Sequence, residues 1–513
     1  MPSVDRHAME PDVSFDGGDM DCGSGLLLLI RRHMDPLRAG GLLEIRSSES
    51  SVEEDLPAWC RLTKNELVSC VRTDSEWRFL VCKGPLANRV SVTNRTSIAS
   101  GLRPIQASTG SVNPPVSIPP PAAAPVITPL SVMGIGSWPR PRWMLQAIHE
   151  HMEGRLSDQE FHEIGDDAVR LAVDSQLKAD VDVVTDGEQR RDSYASFVGG
   201  LLEGCQLIPI TDLLPYVDDP VKFEAELRAL DVPAGSVRHP AVFGPIRRSR
   251  PLAVHEMEFA KTLTDRPIKV ALPGPYLLTR TMWMDCITDR AYETRDRLAD
   301  DVVRVLRDEL QWLLAEGAAL VQFDEPVLTE VVFGQPAGNR SFMCGALSEK
   351  LGTADELNFA GELINRVVDG LPRDRTALHI CRGNWTRDES VALAGSYEPL
   401  VPLLRTLKVG TLFLELCTPR AGEIDVLASI PEDCRIGVGV VNQKLDVIES
   451  VDEILTKAES AIRVFGPHRV LLNPDCGFAT FADNPVASAQ VATAKLTAMM
   501  DAARQLRTRY HLE

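Results

Sequence analysis

Leu378-His379-Ile380-Cys381-Arg382-Gly383-Asn384-Trp385 ends a short apolar run, Thr376-Ala377-Leu378. In an extended strand, residues i and i+2 point to one face. His379 and Cys381 therefore lean an imidazole and a thiol into one spot. Nitrogen and thiolate sulfur are ligand types that suit zinc. A buried His beside a buried Cys is also ordinary core composition, so the pair needs support from the rest of the chain.

That support comes from a repeating pattern. Eight short β-rich runs alternate with helical stretches from Ser131 onward: 131–137, 181–186, 268–272, 320–324, 377–380, 412–415, 435–440 and 470–474. Helices of the intervening kind include 300–316 and 486–507, the first with apolar residues at helical spacing. Eight β-then-α units predict a (β/α)8 TIM barrel, α/β in class, with an enlarged connection between the second and third strands. An open doubly wound sheet is the competitor. Against it, Gly134-Ile135-Gly136-Ser137-Trp138-Pro139 lacks the third glycine of a phosphate-binding turn.

Such barrels carry their chemistry at the C-terminal ends of the strands. Those ends read Ser137, Asp186-Gly187-Glu188, Pro273-Gly274-Pro275, Asp324-Glu325-Pro326, His379-x-Cys381, Glu415-x-Cys417, Asn442 and Asp475-Cys476-Gly477. His379, Cys381, Glu415 and Cys476 predict a zinc site of mixed nitrogen, sulfur and oxygen ligands, with Cys417 as a competing ligand. Glu188 and Asp324, aimed at one spot, call for a cation. Capping or salt bridging at strand ends is their structural alternative.

Composition limits the partners. A formal charge of −19 over 513 residues argues against nucleic acid and anionic membranes. No window reaches the ~18 to 20 uninterrupted apolar residues of a membrane span, and the Leu26–Ile30 run is too short for a signal-peptide core. The expected location is cytoplasmic. The 11 cysteines are scattered and odd in number, which favours thiols and metal ligation over a disulfide framework.

Before the barrel, residues 1–86 read as a small α+β two-layer domain. Residues 1–20 look mobile; helices are expected at 26–34 and 51–62, and strands at 42–46, 66–72 and 77–83. Residues 87–128, rich in Ser, Thr, Asn and Pro, predict a disordered Pro/Ser-rich linker, and the barrel then occupies 129–513. Residues 15–84, with Leu56-Pro57-Ala58-Trp59-Cys60 and the final hairpin, resemble the TusA/SirA sulfur-carrier family. The resemblance implies a persulfide on Cys22, at a helix N-terminus that lowers a thiol pKa, and a sulfurtransferase docking on this domain. The family's two prolines after that Cys are replaced by Gly23 and Gly25.

The barrel resembles the C-terminal catalytic barrel of cobalamin-independent methionine synthase. The likeness rests on Gly136-Ser137, Thr185-Asp186-Gly187-Glu188, Leu272-Pro273-Gly274-Pro275, Gln322-Phe323-Asp324-Glu325-Pro326, His379-Ile380-Cys381, Glu415 and Asn473-Pro474-Asp475-Cys476-Gly477. It implies Zn2+ on His379, Cys381, Glu415 and Cys476. It also implies homocysteine held through Ser137, Glu188 and Asp324, the two acids standing at the reacting centre, and Trp283 against a folate ring. The reaction implied is methylation of a zinc-activated thiol, with methyl-folate or a methylcorrinoid protein as donor. The family's His in the loop after the seventh strand is missing from Val440-Val441-Asn442-Gln443-Lys444, where Lys444 reads as a solvated or phosphate-facing cation. Two further readings remain open: sulfur transfer from a Cys22 persulfide to the barrel site, and a metal-binding sensor without catalysis.

Overall fold

The computed structural model describes residues 7–20, 26–73, 76–89, 118–216, 221, 223, 225, 227, 237–284, 291–334, 352–383 and 386–512. The chain forms two compact units, Met1–Ile118 and Pro119–Glu513.

In the first unit, strands Val13–Asp16, Leu42–Ser47, Glu66–Arg72 and Trp77–Cys82 make one sheet in the order first, second, fourth, third. Helices Leu27–Met34 and Val52–Leu62 bury Ile30, Met34, Leu56 and Trp59 among Phe15, Ile45, Phe79 and Val81 of the sheet. One expectation is corrected: within the stretch read as mobile, Val13–Asp16 runs parallel to the Leu42 strand, with Val13 opposite Leu43. Phe15 of this four-residue strand fills the core, which is what holds it. Cys22 lies outside the described residues.

In the second unit the strands Lys269–Pro273, Leu320–Asp324, Thr376–Ile380, Thr411–Leu414, Arg435–Val441 and Val470–Pro474 pair in chain order, all parallel. Parallel bridges from Leu472 to Val132, Met133 to Val183, and Val184 to Ile268 close the ring. The pairing is that of a (β/α)8 barrel whose first two rungs are single bridges. Every residue of the third, fourth, fifth, sixth and eighth strands is buried, because helices cover one face and the packed interior the other. Met133, Val183, Ala377, Phe413 and Leu471 meet inside.

The covering helices are set by local chemistry. Asp158–Lys178 and Val451–Phe465 each start on a capping box, Ser157 with Glu160 and Ser450 with Glu453. The long connection between rungs two and three carries an antiparallel hairpin of Leu202–Pro209 and Arg238–Arg248. The last part of the expected linker, 119–128, belongs to this second unit. The Ala122 amide donates to the Leu314 carbonyl, Arg375 donates to the Ala122 carbonyl, and Ile127 enters the barrel core.

Candidate metal centre

The strand ends at one rim converge on a narrow cleft lined by Ser137, Glu188, Asp324, His379, Cys381 and Cys476, with Tyr194 and Thr480 at its side. Ligand atoms of His379, Cys381 and Cys476 lie within 4.8 Å of one another, and all three residues are buried. Two of them come from the fifth rung at i and i+2. The third follows the eighth, where the Asp475 carboxylate accepts from the amides of Leu416 and Cys417 at 3.0 and 2.8 Å and ties that loop to the end of the sixth strand.

His379 Nδ1 stands 3.3 Å from the Phe413 carbonyl oxygen. If that nitrogen carries the proton, Nε2 keeps its lone pair. Nε2 is fully buried and, among the described residues, without a hydrogen-bond partner, an orphan that a cation would satisfy. The sulfurs of Cys476 and Cys381 lie against each other within hydrogen-bonding reach. That contact, with His379 beside it, pulls the Cys381 thiol well below its ordinary range, while Cys476 is pushed up. One imidazole and two thiols fit zinc in type and number, three protein ligands with a further position open.

Glu415, expected as the fourth ligand, is wholly buried beside this trio, but its carboxylate accepts from the guanidinium of Arg420. Arg420 is five residues further on and also pairs with Glu389. Cys417 points elsewhere, to Lys457 Nζ at 2.9 Å, and burial pushes its thiol up to about 12. Trp283 caps the helix Pro275–Met282 and lines a second pocket with Val242, Met284 and Tyr292. Lys444 is not solvated: its side chain is buried 3.7 Å from Glu389, and burial pulls its ammonium down to about 8.

The two expected acids do meet in the cleft. Glu188 has a left-handed φ of 53°, a strained setting for a non-glycine residue. Its carbonyl accepts from Arg140 at 2.6 Å. A Cβ on Gly136 would lie 2.0 Å from Glu188 Oε1, so only glycine admits the carboxylate there. Glu188 Oε2 is buried and has no hydrogen-bond partner among the described residues. Burial raises Glu188 to about 7 and Asp324 to about 6. Ser137 Oγ accepts from the Ala479 amide at 3.3 Å. Arg140, Glu389, Arg420 and the buried pair Arg191–Glu256 carry no signal in the sequence. Their long side chains cross between rungs, and no spacing rule registers that.

The family model described as "Cobalamin-independent synthase, Catalytic domain" matches residues 130–349 and 377–505. The methionine synthase of Saccharolobus solfataricus is 25% identical over 375 residues, covering 73% of this chain and 93% of that protein. That of Sulfolobus acidocaldarius is 28% identical over 352 residues, covering 68% and 86%. Among solved structures, a B12-independent methionine synthase from Shewanella sp. W3-18-1 in complex with selenomethionine superposes with a TM-score of 0.56 at 23% identity, covering 75% of this chain and 100% of that one. A putative vitamin-B12 independent methionine synthase from Listeria monocytogenes gives 0.52 at 18%, covering 74% and 98%. The two structures speak for the fold, and the family match carries the assignment. The chain belongs to the cobalamin-independent methionine synthase catalytic-domain family, and its barrel is a methyltransferase of the methionine-synthase kind.

Proposed function

We propose that His379, Cys381 and Cys476 bind zinc, joined by Glu415 when it leaves Arg420, and that the barrel methylates the thiol of homocysteine. The observation that carries this is the convergence of the three ligand atoms within 4.8 Å in the cleft that Ser137, Glu188 and Asp324 also line. Bound zinc supplies the Lewis acidity that keeps a thiol sulfur deprotonated at neutral pH. The chain's own residues do the rest. Glu188 Oε2 and Asp324 accept hydrogen bonds from the substrate's ammonium, and Ser137 Oγ stands ready for its carboxylate. A thiol so fixed in the narrow cleft meets the methyl group in one orientation.

The donor is methyl-folate or a methylcorrinoid protein. Assaying the zinc-loaded chain with homocysteine against methyl-folate, methylcobalamin and small methylated compounds tests the reading. Methionine formed from one of them is expected; none from any donor contradicts it. For residues 1–86 we propose a TusA-like sulfur-carrier module, with Cys22 as a persulfide carrier and a sulfurtransferase as partner. The four-stranded sheet, with one parallel and two antiparallel pairings, and its two helices support it.

The raised Glu188 gives a pH dependence. Its charge is present above about 7 and lost below. The grip on ammonium therefore weakens on the acid side, approaching about ten-fold per pH unit. The KM for homocysteine is expected to rise from about pH 8 to about pH 6 more steeply than that for 4-mercaptobutyrate, which lacks the amino group. Parallel profiles for the two thiols would contradict the role of Glu188.

A further inference from the structure

We propose that Lys269 and Gln322 are positioning residues for amino-acid binding, forming a polar relay through the barrel floor that turns Asp324 toward the substrate's ammonium. The inference rests on the amino-acid reading above. Lys269 begins the third rung and is wholly buried. Its Nζ stands 2.8 Å from Gln322 Oε1 and 4.3 Å from the centre of the Phe413 ring. That ring can lie across the interior because the opposing residue on the seventh rung is Gly437, where a Cβ would come within 2.1 Å of it. Gln322 Nε2 then donates to Asp324 Oδ1 at 2.7 Å.

The relay has a fixed polarity. An ammonium only donates, so Gln322 must turn its carbonyl to Lys269 and its NH2 to Asp324. Asp324 Oδ1 is thereby occupied, and Oδ2 is left for the cleft that Asp324 lines. Without Lys269 the amide oxygen loses its donor, and only the Asp324 end of the relay still orients Gln322. Burial of the ammonium, which pulls Lys269 down to about 7, is a cost that a purely apolar floor would avoid. Asp324 and Glu188 above it offset part of that cost.

The test compares two thiols bound by the zinc-loaded full chain, measured by calorimetry: homocysteine, and 4-mercaptobutyrate as the same thiol without its amino group. Lys269→Met and Gln322→Leu are each expected to weaken homocysteine about ten-fold or more. Affinity for 4-mercaptobutyrate and the zinc content should stay unchanged. A floor with only a packing role would move both thiols alike. If Lys269→Met does not fold, Gln322→Leu, an exchange of one neutral side chain for another, reads the same ratio. A preference for homocysteine that survives in the folded variants overturns the relay alone. Equal affinities for the two thiols in the unsubstituted chain overturn the amino-acid reading, and the relay with it.

Discussion

Exchange of Cys476 for serine is expected to strip the metal and lower turnover by more than about 100-fold, the upper range for loss of a mere outer-shell partner of a metal ligand. A serine hydroxyl does not ionise as a thiol does, so it cannot replace a soft anionic ligand. Cys476 is 6% exposed and lies against Cys381, so its exchange takes one of two sulfurs from the centre. Zinc per folded chain by elemental analysis, alongside turnover, checks this. Full zinc content and activity in the Cys476→Ser chain would remove this residue from the centre. Cys417→Ser, whose sulfur faces Lys457, is expected to keep both.

The second large effect belongs to the carboxylates. Glu188→Gln keeps shape but removes charge from a buried oxygen that has no hydrogen-bond partner among the described residues. Charge-assisted hydrogen bonds are about twice as strong as neutral ones, and breaking a buried charge pair costs about 2 to 5 kcal/mol. The expected loss in kcat/KM for homocysteine is about 100-fold or more, carried mainly by KM. Asp324→Asn should act in the same direction. Steady-state kinetics over homocysteine concentration decide it: a loss confined to kcat would mean that these groups act on chemistry and not on the ammonium.

Much of the barrel was legible because its parallel strands are buried on both faces and so read as unbroken apolar runs. The fifth run, 377–380, falls one residue short of the strand Thr376–Ile380, and i, i+2 spacing placed His379 beside Cys381 without any tertiary information. Cys476 followed from its place after the eighth run. The shortest and longest features were not legible. Val13–Asp16 is four residues whose only strong signal is Phe15. Arg420 takes Glu415, and Lys444 sits buried beside Glu389, through side chains several bonds long. Periodicity records which face a backbone offers and nothing of where a guanidinium or an ammonium ends. Lys269 and Gln322 passed as strand residues because their hydrogen bond crosses between rungs distant in sequence.

X-ray absorption at the zinc edge of the loaded chain tests the centre most directly. The arrangement of His379, Cys381 and Cys476 predicts one zinc per chain with two sulfur neighbours and at least one nitrogen, and a third sulfur once homocysteine is added. Zinc with no sulfur neighbours, or a sulfur count unchanged by homocysteine, would contradict it.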